Sequence, residues 1–106
     1  MDSELKTRWI KALESGKYKK GTHYLCKNDN YCCLGVLADI ENLFDNFSIE
    51  NEKKSIKGHL SILPEDIANY YGLGPRNGFT VQLDLAMIND RTDTFDEVIE
   101  YIKETL

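Results

Sequence analysis

The side chains best suited to chemistry in this chain are three cysteines, two histidines and a lysine-rich loop. Cys26, Cys32 and Cys33 stand as Cys-x5-Cys-Cys, which lacks the Cys-x-x-Cys spacing of zinc and dithiol sites. Adjacent cysteines also resist a mutual disulfide, because the peptide between them strains the required Cβ geometry. A nucleophilic cysteine needs a base beside it, and the histidines on offer are His23 and His59. Free cysteine is among the most buried residue types, so the trio reads as reduced core, with one of Cys26 and Cys32 partly exposed. Asp84, Asn89, Asp90, Asp93 and Asp96 invite a cation-site reading, but they do not follow the EF-hand loop. Turn formation and helix capping account for them. No phosphate-binding GxxxxGK, no GxGxxG and no nucleophile elbow occurs. No catalytic residue, metal or cofactor is expected.

The basic loop is the stronger candidate. Lys17, Lys19 and Lys20 offer charge to a phosphate, Tyr18 can stack on a base, and Gly21 lets backbone amides approach an anion. His23 lies beside them, and Arg8 belongs to the same basic third of the chain. Arg76, Asn77 and Phe79 form a second polar and aromatic turn around Gly78. The plain reading of both segments is a solvated loop. Charge is uneven: residues 1–27 sum to +4, residues 84–106 to −5, and the 106-residue chain to −5. A basic end lying against an acidic end is one reading of that asymmetry; a compact anion site is the other. A chain this acidic is a poor nonspecific ligand for a long duplex.

The elements that must position these groups follow from periodicity. Leu5, Trp9, Ala12 and Leu13 predict a first helix, capped by Ser3 and ended by Gly16, with Trp9 as a core anchor. Thr22–Cys26 and Tyr31–Cys33 predict a hairpin around Asn28-Asp29-Asn30. Cys33, Val36, Leu37, Ile40, Leu43 and Phe44 recur as one helical face. Gly35 inside that helix implies that another backbone comes close. Residues 45–60 read as a second hairpin around Asn51-Glu52-Lys53-Lys54 or an exposed loop. Pro64 opens a short helix that ends at Gly72, Phe79-Thr80-Val81 forms a short strand, and Leu83–Asn89 one or two helical turns. Thr94 and Glu97 form a capping box for a last helix, which should dock on the Cys33–Phe44 helix. The fold class is α+β: one domain over 1–106, with a mostly helical core and one or two short β-hairpins. No run approaches the ~18 apolar residues of a membrane span, and the polar start lacks a signal stretch. A cytoplasmic location is expected.

Several strings together resemble a family of small phage and prophage proteins. They are Trp9-x-x-Ala12-Leu13-x-Ser15-Gly16-x-Tyr18, Tyr31-Cys32-Cys33-Leu34-Gly35-Val36-Leu37-Ala38-Asp39, Leu63-Pro64, Gly72-Leu73, Leu85-Ala86-x-Ile88-Asn89-Asp90 and Phe95-x-Glu97. The resemblance covers both ends and skips roughly 45–60; Ala38 departs from it, where such proteins often carry a further cysteine. It implies a bacterial-host setting and no particular activity. By analogy, small phage proteins without catalytic motifs act against host systems. The expected function is therefore non-enzymatic binding: sequestration of a small anionic, nucleotide-like signal by the basic and aromatic loops, within a homo-oligomer. The alternative is direct binding of a host protein.

Overall fold

Six consecutive residues, Cys33 to Ala38, are completely buried and form the centre of a computed structural model that describes residues 1–45, 52–76 and 78–106. The helices are α1 (Ser3–Glu14), α2 (Cys33–Ile40), α3 (Glu65–Tyr70), α4 (Val81–Asp90) and α5 (Asp96–Thr105). A helix apolar on every side must be surrounded, and α2 is: α1 and α4 pack against it, while α5 closes the group by packing on α4 and α1. The last helix therefore docks beside α2's neighbours and not chiefly on α2. Trp9 anchors α1 in this core with no exposed surface, and its indole N–H donates to the Cys33 carbonyl at 3.0 Å.

The strands are two residues each: β1 (Lys19–Lys20), β2 (Cys26–Lys27), β3 (Asn30–Tyr31) and β4 (Lys53–Lys54) form one mixed sheet in the order β1-β3-β2-β4. β1 runs parallel to β3, and β2 is antiparallel to both β3 and β4. A separate hairpin pairs β5 (Pro75–Arg76) with β6 (Phe79–Thr80). The α+β class holds, and the first hairpin is extended on both sides into a sheet. None of the helices among the described residues is long and apolar enough to cross a membrane.

Local corrections have identifiable causes. Asp2, not Ser3, caps α1, because its Oδ2 accepts the Leu5 N–H at 2.9 Å. The strand expected over Thr22–Cys26 is cut short by His23, whose φ is +68°; such a conformation is rare for a residue with a Cβ. Asn28 and Asp29 turn the hairpin with φ of +53° and +63°, the pair of positive values that matches the twist of a tight hairpin. Cys32 leaves the strand to become the N-cap of α2. That helix stops at Ile40, and Asn42 at φ +55° turns Leu43 and Phe44 off its axis. Lys53 and Lys54, expected in the turn of a second hairpin, are instead a strand paired with β2; the turn nearby lies at Lys57-Gly58, closed by the Ile56–His59 bridge. Residues 46–51 of that segment lie outside the described residues. Asp45 steadies this turn by accepting from the Ser55 hydroxyl and the Lys57 amide, which holds its carboxyl below the usual range. Pro64 sits one position ahead of α3, α4 runs ten residues and begins already at Val81, and the capping box is replaced by Thr94 Oγ accepting the Asp96 N–H at 3.3 Å.

Gly35 meets its expectation in full. A Cβ there would lie 1.8 Å from the Leu25 carbonyl oxygen, which already accepts the Cys32 N–H at 3.2 Å. The strand leading into the sheet lies directly on the helix, and neither backbone can yield. All three cysteines are buried and none is disulfide-bonded, including the one expected to be partly exposed. Burial pushes the Cys32 thiol up to about 11 and the Cys33 thiol well above its ordinary value.

Gly35→Ala should lower unfolding free energy by about 3 kcal/mol or more, read by urea denaturation; a loss under 1 kcal/mol would show the contact to be soft. The thiols predict an alkaline limit. The unfolded chain releases the Cys32 proton near its ordinary value of 9.0 and the folded chain holds it to about 11. Stability should therefore be intact below pH 9 and fall across pH 9–11, by about 3 kcal/mol from this group. The fall should be shallower in Cys32→Ser.

Candidate functional site

Directly paired residues of neighbouring strands share a face of the sheet. One register row is Lys20, Tyr31, Cys26 and Lys54; the other is Lys19, Asn30, Lys27 and Lys53. The first row faces inward, since Cys26 is buried and the Lys20 ammonium reaches the Asn89 carbonyl at the end of α4. The second row faces out. It sets Lys27 directly opposite Lys53, a like-charge pair that weakens a sheet. The Tyr24 ring sits beside them, 5.3 Å from the Lys27 ammonium and 4.4 Å from that of Lys53. Each cation–π contact offsets part of the repulsion, by about 0.5–1 kcal/mol at such exposure. Among the described residues, no carboxylate forms an ion pair with Lys19, Lys27 or Lys53.

A shallow depression of about 430 Å³ adjoins this row, with Lys20, His23, Tyr24, Lys27, Asn28 and Asn30 among its lining residues. Its rim is held by one buried side chain. Asn89 accepts the Cys33 N–H on Oδ1 at 3.1 Å and donates through Nδ2 to the Gly21 carbonyl at 2.9 Å. Lys20 adds its charge to the C-terminal end of α4, where the helix dipole favours a cation. The His23 N–H donates to Asp90 Oδ1 at 3.0 Å, and its Nδ1 lies 3.3 Å from Oδ2. The basic loop thus lies against the acidic C-terminal part of the chain, as the charge asymmetry allowed.

The predicted site residues are dispersed. Lys19 stands in the outer row and Lys17 is exposed just before it, while Lys20, of the inward row, and His23 line the adjoining depression. Tyr18 is turned away: its hydroxyl donates to Asp39 at 2.6 Å and its ring meets Tyr31 edge-on at 5.0 Å. Desolvation and the Asp39 hydrogen bond hold its phenol well above the ordinary value. Arg8 pairs with Glu41 at 2.6 Å in a different depression, beside Tyr71 and Tyr70. Arg76 and Phe79 are register partners in the β5–β6 hairpin, and Asn77 lies outside the described residues. Gly21 serves another purpose than the one read from the loop. A Cβ there would stand 3.0 Å from Asn30, and the Gly21 N–H is donated to the Tyr31 carbonyl, so this glycine seats β1 on β3. The sequence reading missed Tyr24, Lys27, Asn30 and Lys53, because strand register brings the last three together and Tyr24 joins them only through its ring contacts with the two lysines. As for thiol chemistry, His23 rests on Asp90 and His59 closes a turn, while burial raises the pKa of all three cysteine thiols.

These features define a small α+β domain with a helical core and a basic sheet face whose lysines form no ion pair among the described residues. Over residues 1–106 the chain matches the family described as Domain of unknown function (DUF8296) and belongs to it. Among curated proteins and solved structures, none matches the chain.

Asn89→Ala strips partners from the Cys33 N–H and the Gly21 carbonyl together. It should destabilise the fold by about 2–4 kcal/mol in urea titration and speed hydrogen exchange at the Cys33 amide; unchanged exchange there would show that this bond holds nothing.

Proposed function

We propose that this chain is a non-catalytic binding domain for a small, phosphorylated, nucleotide-like anion, held on the outer face of the four-stranded sheet. The observation that carries the reading is the opposed pair Lys27 and Lys53 around Tyr24, with no ion-paired carboxylate among the described residues. Two like charges side by side cost stability, and an arriving phosphate reverses the sign of that interaction. Asn28 and Asn30 add polar groups at the rim, and Tyr24 supplies an aromatic surface. The mechanism is binding energy alone. In the phage setting implied by the resemblance, the consequence is removal of a host nucleotide signal without its chemical change.

The second reading, a protein partner, draws on Leu83 and Met87. They stand four residues apart on α4 and are 51% and 55% exposed, the spacing of one helix face.

A panel of ADP, ADP-ribose and cyclic dinucleotides should include a ligand that raises Tm by ~10 °C when present at 100-fold its Kd. The ligand should be recovered intact after denaturation, and Lys27→Ala/Lys53→Ala should remove the shift without lowering the Tm of the free protein. No shift with any member of the panel would sink the proposal. A stoichiometric host-protein capture lost on Leu83→Ser would favour the second reading.

A further inference from the structure

The outer row is wider than one phosphate needs. Lys19, Asn30, Lys27 and Lys53 cross all four strands, a span on the order of 14 Å at the usual strand separation. The cations fall into two stations: Lys19 on one edge strand, and Lys27 with Lys53 toward the other edge, where both ammonium groups lie over Tyr24. Asn30 separates them with an uncharged amide. Gathering all three lysines on a single phosphate would crowd like charges and draw two of them off the ring. Phosphates spaced along a chain can be met where the lysines already stand, because they succeed one another at intervals of the same order as strand spacing.

We infer that the ligand of this face is a short single-stranded oligonucleotide of about three nucleotides, lying across the strands with a base on Tyr24; the inference rests on the anion-binding function proposed above. A partly exposed tyrosine between two phosphate-binding lysines is the combination that single strands use, stacking for the base and charge for the backbone. The amide of Asn30 sits between the stations, where it can meet a sugar or a base edge. A duplex is disfavoured for two reasons. Its bases are stacked inside and cannot reach Tyr24. The chain as a whole is acidic, with a net charge of −5, which opposes the broad basic footprint that a duplex needs.

The test is fluorescence anisotropy competition with the full chain across a salt series, using thymidylate monomer, dimer and tetramer and inorganic tripolyphosphate. Affinity should rise at least tenfold from monomer to tetramer, with log K falling against log salt at a slope of about −2 for three contacts. Lys19→Ala and Lys53→Ala should each remove about 0.7 from that slope, with no loss of Tm. Tyr24→Leu should weaken the tetramer about tenfold at every salt concentration. Lys57→Ala, whose lysine pairs with Asp66 at 3.2 Å, should change neither. Monomer binding as tightly as tetramer would overturn this inference and leave the anion-binding function standing. Tripolyphosphate matching the tetramer, or Lys57→Ala acting like Lys53→Ala, would replace the oligonucleotide by diffuse charge. If no probe binds and the nucleotide panel is also silent, both readings fall.

Discussion

A helix that is apolar on every side can be buried only if its first backbone donors find partners away from water. The rest of this structure depends on how α2 meets that requirement. Its N-terminus is met by two side chains. Asn89, fully buried at the far end of α4, accepts the Cys33 N–H. Cys32, a weak sulfur acceptor, takes the Gly35 N–H at 3.4 Å. Burying an asparagine creates its own obligation, and the Gly21 carbonyl answers it. One polar side chain thereby ties the central helix, α4 and the loop that enters the sheet.

That tie decides which cations are engaged and which remain available. Lys20 is drawn onto the α4 carbonyl terminus and His23 onto Asp90, so two residues of the basic loop brace the fold. Lys54 donates to the Tyr31 hydroxyl at 3.0 Å and lies near Phe44, a position on the inward row. What faces outward is the alternate register: Lys19, Lys27 and Lys53, each one residue away from an inward-facing neighbour. The alternation of a pleated strand separates structural from unengaged lysines more cleanly than their order in the chain does. A second buried amide works similarly on the opposite side, where Gln82 clasps both the N–H and the carbonyl of Leu63 at 3.0 and 3.2 Å and joins the start of α3 to α4.

Much of this was legible beforehand. The helical stripes, the burial of Trp9 and the turn at Asn28-Asp29 follow from local rules, and those rules act over a few residues. Gly35 was readable for a related reason: a glycine inside the most apolar helix is costly unless a second backbone needs the space, and the Leu25 carbonyl takes it. The capping residues were less legible, because Asp2 and Ser3 differ only in which oxygen reaches an amide. The candidate site was barely legible. Lys17, Lys19 and Lys20 stand out because they are close in the chain, yet Lys27 and Lys53 lie 26 positions apart, and β4 follows a stretch with no periodicity to place it. Asn89 was grouped with neighbouring acids, although an asparagine following Leu85 and Ile88 on a helix is itself a sign of a buried polar role.

The α+β class, the helix that must sit at the centre and the buried state of Cys33 follow from the order of residues alone. These depend on apolar periodicity and on transfer of surface from water, which are properties of segments. Three features come from packing between distant segments: the backbone groups that Asn89 satisfies, the burial of Cys26 and Cys32 alongside Cys33, and the lysines that share a face. Those outcomes depend on register between strands that are two residues long. A slip of one residue exchanges inward for outward at every position, and nothing within so short a strand specifies its partner.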